Sequence, residues 1–405
     1  MIPMLRARGG GAPVTNAELF FDLVYVFAVT QLSHHLLHHA TVRGALQGLI
    51  LLGFVWTAWA YTTWTTNWLD PERLPVRATL MLTLLASLVM SAGLPEAFEH
   101  RGFLVAGAYV AMQVGRSLFV VFAIRGDVLQ RNFQRILIWS VVSSGPLLAG
   151  AAVDGHAREL LWVIGIGIDV TGGAVGFYVP GLGRAHTDDW NIEGGHFAER
   201  CQLFVMIALG ESIVLIGSTL SDLHPISSAQ VVAFVGALAG TVAMWWIYFD
   251  RSAADAAAII AESDDPGRLG RSAYHWIHPI MIAGIIVVAA SDERVLAHTW
   301  EHGERSTAWM VLGGVGLFLI GHALFKAIVW RVVPWTRLAA IAMALILLLA
   351  DPDVPALTLG IIALVLVTAV AATDRVLFQA SMPSQAVRIS SSTSDADGGP
   401  FDPAS

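Results

Sequence analysis

Apolar residues fall along this chain in long uninterrupted blocks separated by short polar segments. Twelve blocks of roughly 17 to 24 residues lie near 17–39, 44–66, 77–94, 101–124, 134–153, 159–178, 197–220, 229–249, 272–290, 307–325, 336–350 and 356–373, the eleventh being the shortest. A helix rises about 1.5 Å per residue, so such blocks suit a hydrocarbon core about 30 Å thick. Barrel strands need only about 10 residues in strict alternation, which these blocks do not show. The pattern therefore predicts an all-α, polytopic transmembrane helix bundle of about 12 spans over residues 17–373. Residues 1–16 form an N-terminal tail without an apolar core of its own, so no removable signal peptide is expected. Residues 374–405, rich in Ser, Asp, Gly and Pro, predict a disordered tail.

Composition agrees. Hydrophobic residues make up 56% of the chain, charged residues only 13%, and the mean hydropathy is +0.65. A soluble domain carries about 25% charged residues. The net charge of −8 and the lack of a basic patch exclude nucleic acid as a partner. Cys201 is the only cysteine, which excludes an internal disulfide and a Cys-based metal cluster. The lipid bilayer is the expected partner.

Basic residues set the orientation. With the N-terminus in the cytoplasm, inner segments hold 17 Lys and Arg residues and outer segments five, with Arg116 inside a span. This split predicts both termini cytoplasmic, in a bacterial inner membrane. The halves 17–178 and 197–373 share short matches: Ala17-Glu18 with Ala198-Glu199, and Trp59-Ala-Tyr61 with Trp246-Ile-Tyr248, at offsets of 181 and 187 residues. Two parallel six-helix repeats would produce them, and so would chance in aromatic-rich spans.

The most unusual stretch is Glu18-Leu-Phe-Phe-Asp22, which opens the first block. Residues four apart share a helix face, and lipid penalises carboxylates, so this face should look into protein or a hydrated cavity. A second stretch, His196-Phe-Ala-Glu199-Arg200-Cys-Gln202 through Gly210-Glu211-Ser212, opens the seventh block. Together the two resemble the bacterial low temperature requirement protein A family. The likeness covers nearly the whole chain, including the Trp-rich second block and Trp245-Trp246. It implies a multi-pass membrane protein and a link to growth in the cold, but no settled substrate or reaction. Cys201 stands where relatives are expected to carry an aromatic or other apolar residue.

Depth sorts the remaining polar residues. Arg116 falls about 8 residues before the inner end of its span, roughly 12 Å deep, and Asp169 falls at a similar depth with opposite charge, so the two form a candidate charge pair. Most other ionisable residues also fall in the cytoplasmic half. They predict a cytoplasm-facing polar cavity with Gln31, His196, Gln202, His275, His278 and His322 on its walls. Glu18, Asp22, Glu199 and Glu211 are its candidate proton or cation ligands. Helix-end placement at the headgroups is the better explanation of Glu18, His196, Asp250 and Lys326. Five glycines flank Asp169 between Ile164 and Gly176, which fits either a helix break or close helix packing. At the outer side, His35/His39 and His298/His302 have the i,i+4 spacing of a metal pair, though an amphipathic helix end has it too.

These residues point first to a proton- or cation-linked transporter or channel for a small ion or small molecule. The alternatives are an intramembrane enzyme using a metal or acid/base pair on a lipid-like substrate, and a structural or stress-response membrane protein. The residues specify no cofactor, no particular substrate and no oligomeric state.

Overall fold

The computed structural model describes residues 4–6, 13–185, 192–250, 252–263, 265–302, 305–350 and 353–381. Among them every regular element is helical, apart from three isolated backbone bridges. The first eight helices are α1 (Asn16–His38), α2 (Val42–Trp68), α3 (Leu74–Gly93), α4 (Gly102–Ala123), α5 (Val128–Ala151), α6 (Gly155–Ala174), α7 (Gly194–Asp222) and α8 (Ser228–Phe249). Two short helices follow, α9 (Ser252–Ala261) and α10 (Pro266–Gly270), then a π-helical turn over Arg271–His275. The chain ends in α11 (His278–Ala297), α12 (Arg305–Trp330), α13 (Trp335–Ala350) and α14 (Ala356–Ser381).

Each apolar block centres on one helix, the ninth beginning in the π turn before α11. Eight stretches are long and apolar enough to cross a membrane: those of α1, α2, α3, α4, α7, α8 running into α9, α12 and α14. α13 is apolar but has only 16 residues. α5, α6 and α11 have 24, 20 and 20 residues and carry the charges Arg131 and Arg135, Arg158 and Asp169, and Asp292 and Glu293. The helix of the ninth block begins later than its hydropathy predicts, because the π turn occupies Arg271–His275 and Pro279 sits in the first turn of α11. α14 runs on to Ser381, so the first residues of the expected tail are helical. The rest of the tail, 382–405, lies outside the described residues.

Local chemistry explains the helix starts. Thr15 and Glu18 form a capping box on α1, and Ser227 and Gln230 form one on α8. Thr41 and Asp127 cap α2 and α5. α1 packs against α2, α3, α7 and α11, so it joins the first six helices to the rest. Outward apolar residues such as Leu23, Leu82 and Val365 are exposed, as lipid contact requires.

Glycine decides how closely some helices meet. α6 continues unbroken through Asp169, so its glycines serve packing: a Cβ at Gly165 would lie 2.4 Å from the Leu147 side chain, and one at Gly172 would lie 2.9 Å from Trp139. α11 and α12 approach more closely still. A Cβ on Gly284 would sit 2.3 Å from the backbone nitrogen of Phe318, and one on Gly321 would sit 2.8 Å from that of Met281. The positions that suggested a repeat have unlike surroundings. Glu18 and Trp59 are buried, whereas Glu199 is exposed and Trp246 is half-buried under Arg375.

Gly284→Ala forces a methyl group into backbone. It should cost about 1–3 kcal/mol, read as earlier loss of the folded size-exclusion peak on heating in detergent. Gly313→Ala, where a Cβ meets open space, should leave that temperature unchanged.

Candidate functional site

The two acidic residues of α1 meet two residues of α7 with the same spacing. Glu18 and Asp22 are one turn apart, as are His196 and Arg200. His196 Nε2 lies 2.9 Å from Glu18 Oε1, Arg200 Nη2 donates to Asp22 Oδ1 at 2.6 Å, and Arg200 Nη1 reaches Glu18 Oε1 at 3.1 Å. The N-terminal segment adds Arg6, whose Nη2 donates to Glu18 Oε2 at 3.0 Å. That segment is held to the end of α2, where the Arg6 amide donates to Trp68 O at 2.8 Å.

α2 supplies the neutral partners. Trp59 Nε1 donates to Asp22 Oδ1 at 2.8 Å. Asn67 Oδ1 accepts from the Glu193 amide at 3.0 Å, so its Nδ2 faces the Glu193 carbonyl at 3.0 Å and His196 Nδ1 at 3.1 Å. An amide nitrogen only donates, so His196 Nδ1 must accept and Nε2 must carry the proton given to Glu18. The imidazole is then neutral, and two carboxylates balance two guanidiniums. Glu18, Asp22, His196 and Arg200 are all buried. Within this cluster Asp22 Oδ2 and Arg200 Nε lack partners. Charge balance and mutual hydrogen bonding make it a lock between α1, α2, α7 and the N-terminal segment.

Arg116 and Asp169 are joined by a relay in place of the direct pair their depths suggested. Arg116 Nη1 donates to Thr62 Oγ1 at 3.1 Å and Nη2 to Gln113 Oε1. Gln113 Nε2 donates to Tyr109 Oη at 3.0 Å, and Tyr109 Oη donates to Asp169 Oδ2 at 2.6 Å. Two side chains long enough to reach both charges fill the space between α4 and α6. Beside Arg116 lies a pocket between the ends of α2 and α6, α4, and the π turn; His275 and Arg271 also line it. The π turn is docked by Trp56 Nε1, which donates to the His275 carbonyl at 2.9 Å.

The other predicted residues scatter. Glu211 is fully buried on α7, where Oε2 meets Thr30 Oγ1 of α1 at 2.5 Å and Oε1 has no partner. Glu199 is exposed and Gln31 is half-buried. Gln202 Nε2 donates to Ala253 O at 2.9 Å. His278 Nδ1 faces Ala273 O at 3.2 Å, which leaves Nε2 to accept from Tyr248 Oη at 2.7 Å. His322 Nδ1 accepts from Arg337 Nε at 3.3 Å, and Arg337 grips Asp374 with both Nη atoms. At the proposed metal pairs, both ring nitrogens of buried His35 lack partners, whereas the other rings have near neighbours. The His35 and His39 rings stack with centroids 4.6 Å apart, His298 Nδ1 pairs with Glu301 at 2.9 Å, and His302 Nδ1 faces Trp300 O at 2.9 Å. Among the described residues no three His, Cys, Asp or Glu side chains are placed to share a metal ion.

Arg200 belongs to the buried lock, although its charge reads from the sequence as part of the inner positive face. Its signal was its offset: His196 and Arg200 repeat the four-residue step of Glu18 and Asp22. Asn67, Trp59 and Arg6 carry no comparable signal.

The family model described as Bacterial low temperature requirement A protein matches residues 13–372. The Rhizobium meliloti (strain 1021) protein RA0937, described as uncharacterized, is 37% identical over 356 residues, or 86% of this chain and 86% of that one. No solved structure matches the chain.

Arg200→Gln leaves Asp22 buried without its cation. It should destabilise by about 3–5 kcal/mol, read by thermal unfolding in detergent. Adding Asp22→Asn to Arg200→Gln should recover part of the loss, because the orphaned charge is removed with its partner. Glu199→Gln should leave unfolding unchanged.

Proposed function

The chain belongs to the bacterial low temperature requirement A family, and from that premise we propose that it is a proton-linked transporter of the bacterial inner membrane. It crosses the bilayer about twelve times with both termini in the cytoplasm. The twelve long helices at the twelve apolar blocks support that count, and so does the excess of basic residues on one side, which persists when the buried Arg200 is set aside.

The observation that carries this reading is Glu211. It is fully buried in the middle of α7, and its direct polar contact is a hydroxyl. The charged group in electrostatic reach is Glu293, a second acid. Glu18 and Asp22, by contrast, already face two guanidiniums. An uncompensated carboxylate at membrane depth costs about 2.5–3.5 kcal/mol even on insertion scales, so Glu211 is an acid suited to gaining and losing a proton.

Hydrogen-bond geometry favours a proton over a metal cation. Thr30 Oγ1 lies 3.1 Å from the Val26 carbonyl and 2.5 Å from Glu211 Oε2. A hydroxyl has one proton to give. With that proton on Val26 O, the shorter contact requires one on Glu211 Oε2. Releasing it lets the Thr30 hydroxyl turn from Val26 to the carboxylate, so a single rotation accommodates both states. The acid joins α1 to α7, so its charge state acts directly on the packing of two helices.

Two measurements test this. In proteoliposomes with a lumenal pH dye and an imposed pH gradient, screened against small carboxylates, wild-type protein should dissipate the gradient faster than empty liposomes. Glu211→Gln should reduce the rate to that of empty liposomes while keeping the folded size-exclusion peak. A wild type no faster than empty liposomes, or a Glu211→Gln variant equal to it, defeats the reading. For topology, Cys201→Ser provides a cysteine-free background. His156→Cys in it should label from outside intact cells, and Glu72→Cys only after permeabilisation. The reverse pattern inverts the orientation.

A further inference from the structure

The pocket beside Arg116 has no carboxylate on its wall, and the charge of Asp169 reaches Arg116 only across Gln113 and Tyr109. About 60 Å³ of the pocket is open to groups the size of water, room for roughly four to six waters. Its wall holds two guanidiniums, Arg116 and Arg271, and no Asp or Glu. Among the described residues neither guanidinium has a carboxylate partner. Arg116 is 3% exposed and donates its Nη atoms to the uncharged Thr62 and Gln113. Arg271 Nη1 donates to the Gly173 carbonyl at 3.3 Å. Asp169 is not on the wall; it lies behind Gln113 and Tyr109, where it accepts the Tyr109 proton.

A buried guanidinium without a counter-ion is costly, and a bound anion removes that cost. The remaining surface says what the anion carries. Trp64, Trp68 and Trp276 line the same space, and indole faces hold flat apolar bodies better than hydrated inorganic ions. Displacing four to six waters at about 30 Å³ each makes room for a molecule of about benzoate size.

We propose that this pocket binds a small organic monoanion, with its carboxylate toward Arg116 and Arg271 and its apolar body against the tryptophans. The site rests on the transport reading only for its purpose, since a proton taken up at Glu211 would offset the charge of the carried anion. Binding itself requires no such coupling. Arg271 and His275 stand on the five-residue π turn, a helix irregularity of the kind frequent at functional sites.

Isothermal titration of the full-length protein in nanodiscs of zwitterionic lipid tests the assignment. Benzoate should bind, and benzyl alcohol and benzylamine, of nearly the same shape, should bind about tenfold more weakly or worse. Arg271→Gln and Arg116→Gln should each weaken benzoate by about tenfold or more. Arg271 is half-buried, so its variant keeps the test valid if the Arg116 variant unfolds. Benzylamine binding as well as benzoate, inorganic phosphate binding as tightly, no heat with benzoate, or an unaltered affinity in a folded Arg271→Gln variant each overturns the proposal. Anion binding without Glu211-dependent proton flux would leave the site standing and sink the transport reading. Flux without anion binding would do the reverse.

Discussion

The meeting of Glu18 and Asp22 with His196 and Arg200 is the constraint around which the bundle is arranged. Lipid offers no water to a charge and no partner to an ion, so every ionised group at depth must be matched inside the protein. α1 and α7 achieve this with equal steps along both helices. The match fixes their register, because Arg200 reaches both acids and sliding one helix by a turn would take it off Asp22. α2 is then held by Trp59 and Asn67, and the N-terminal segment by Arg6. Four pieces of chain distant in sequence are thus locked by one group of side chains.

Three zones of the same bundle differ in how completely their charges are cancelled. The α1–α7 lock is balanced. The pocket at the π turn has an excess of positive charge, with Asp169 set back behind two side chains. Glu211 has negative potential and no cation. Stability needs only the first arrangement. The other two are costly unless something arrives to complete them, and they lie at different places along the helices that the lock holds. In the transport reading proposed above, a proton would neutralise Glu211 and an organic anion would face Arg116 and Arg271, so the two sites have opposite sign.

Much of this was legible in the sequence, for reasons that differ by level. Block length and hydropathy alone located the long helices, because the bilayer imposes a length on any spanning element. The four-residue step of Glu18 and Asp22 revealed a buried face. Partners were harder to read. Arg200 looks like any basic residue at a helix start, and only its register with Asp22 shows where it points. Arg116 and Asp169 match in depth and sign, yet depth says nothing of the sideways distance that Gln113 and Tyr109 span. The glycines around Asp169 suggested either a break or close packing, and Leu147 and Trp139 lying against them select packing. The histidines expected on one cavity wall have different partners: His196 meets Glu18, His278 meets Tyr248 and His322 meets Arg337.

The contrast between Asp22 and Glu211 bears on what such a bundle can do. Both are buried acids at the interface of α1 with α7. Asp22 is held by Arg200 and the Trp59 indole, so removing its charge weakens two bonds and leaves Arg200 with Glu18 alone. Glu211 touches a hydroxyl that can donate or accept, so a change of charge there needs only a rotation of one O–H. The same pair of helices therefore carries a charge-paired contact near their N-terminal ends and a hydroxyl–acid contact farther along.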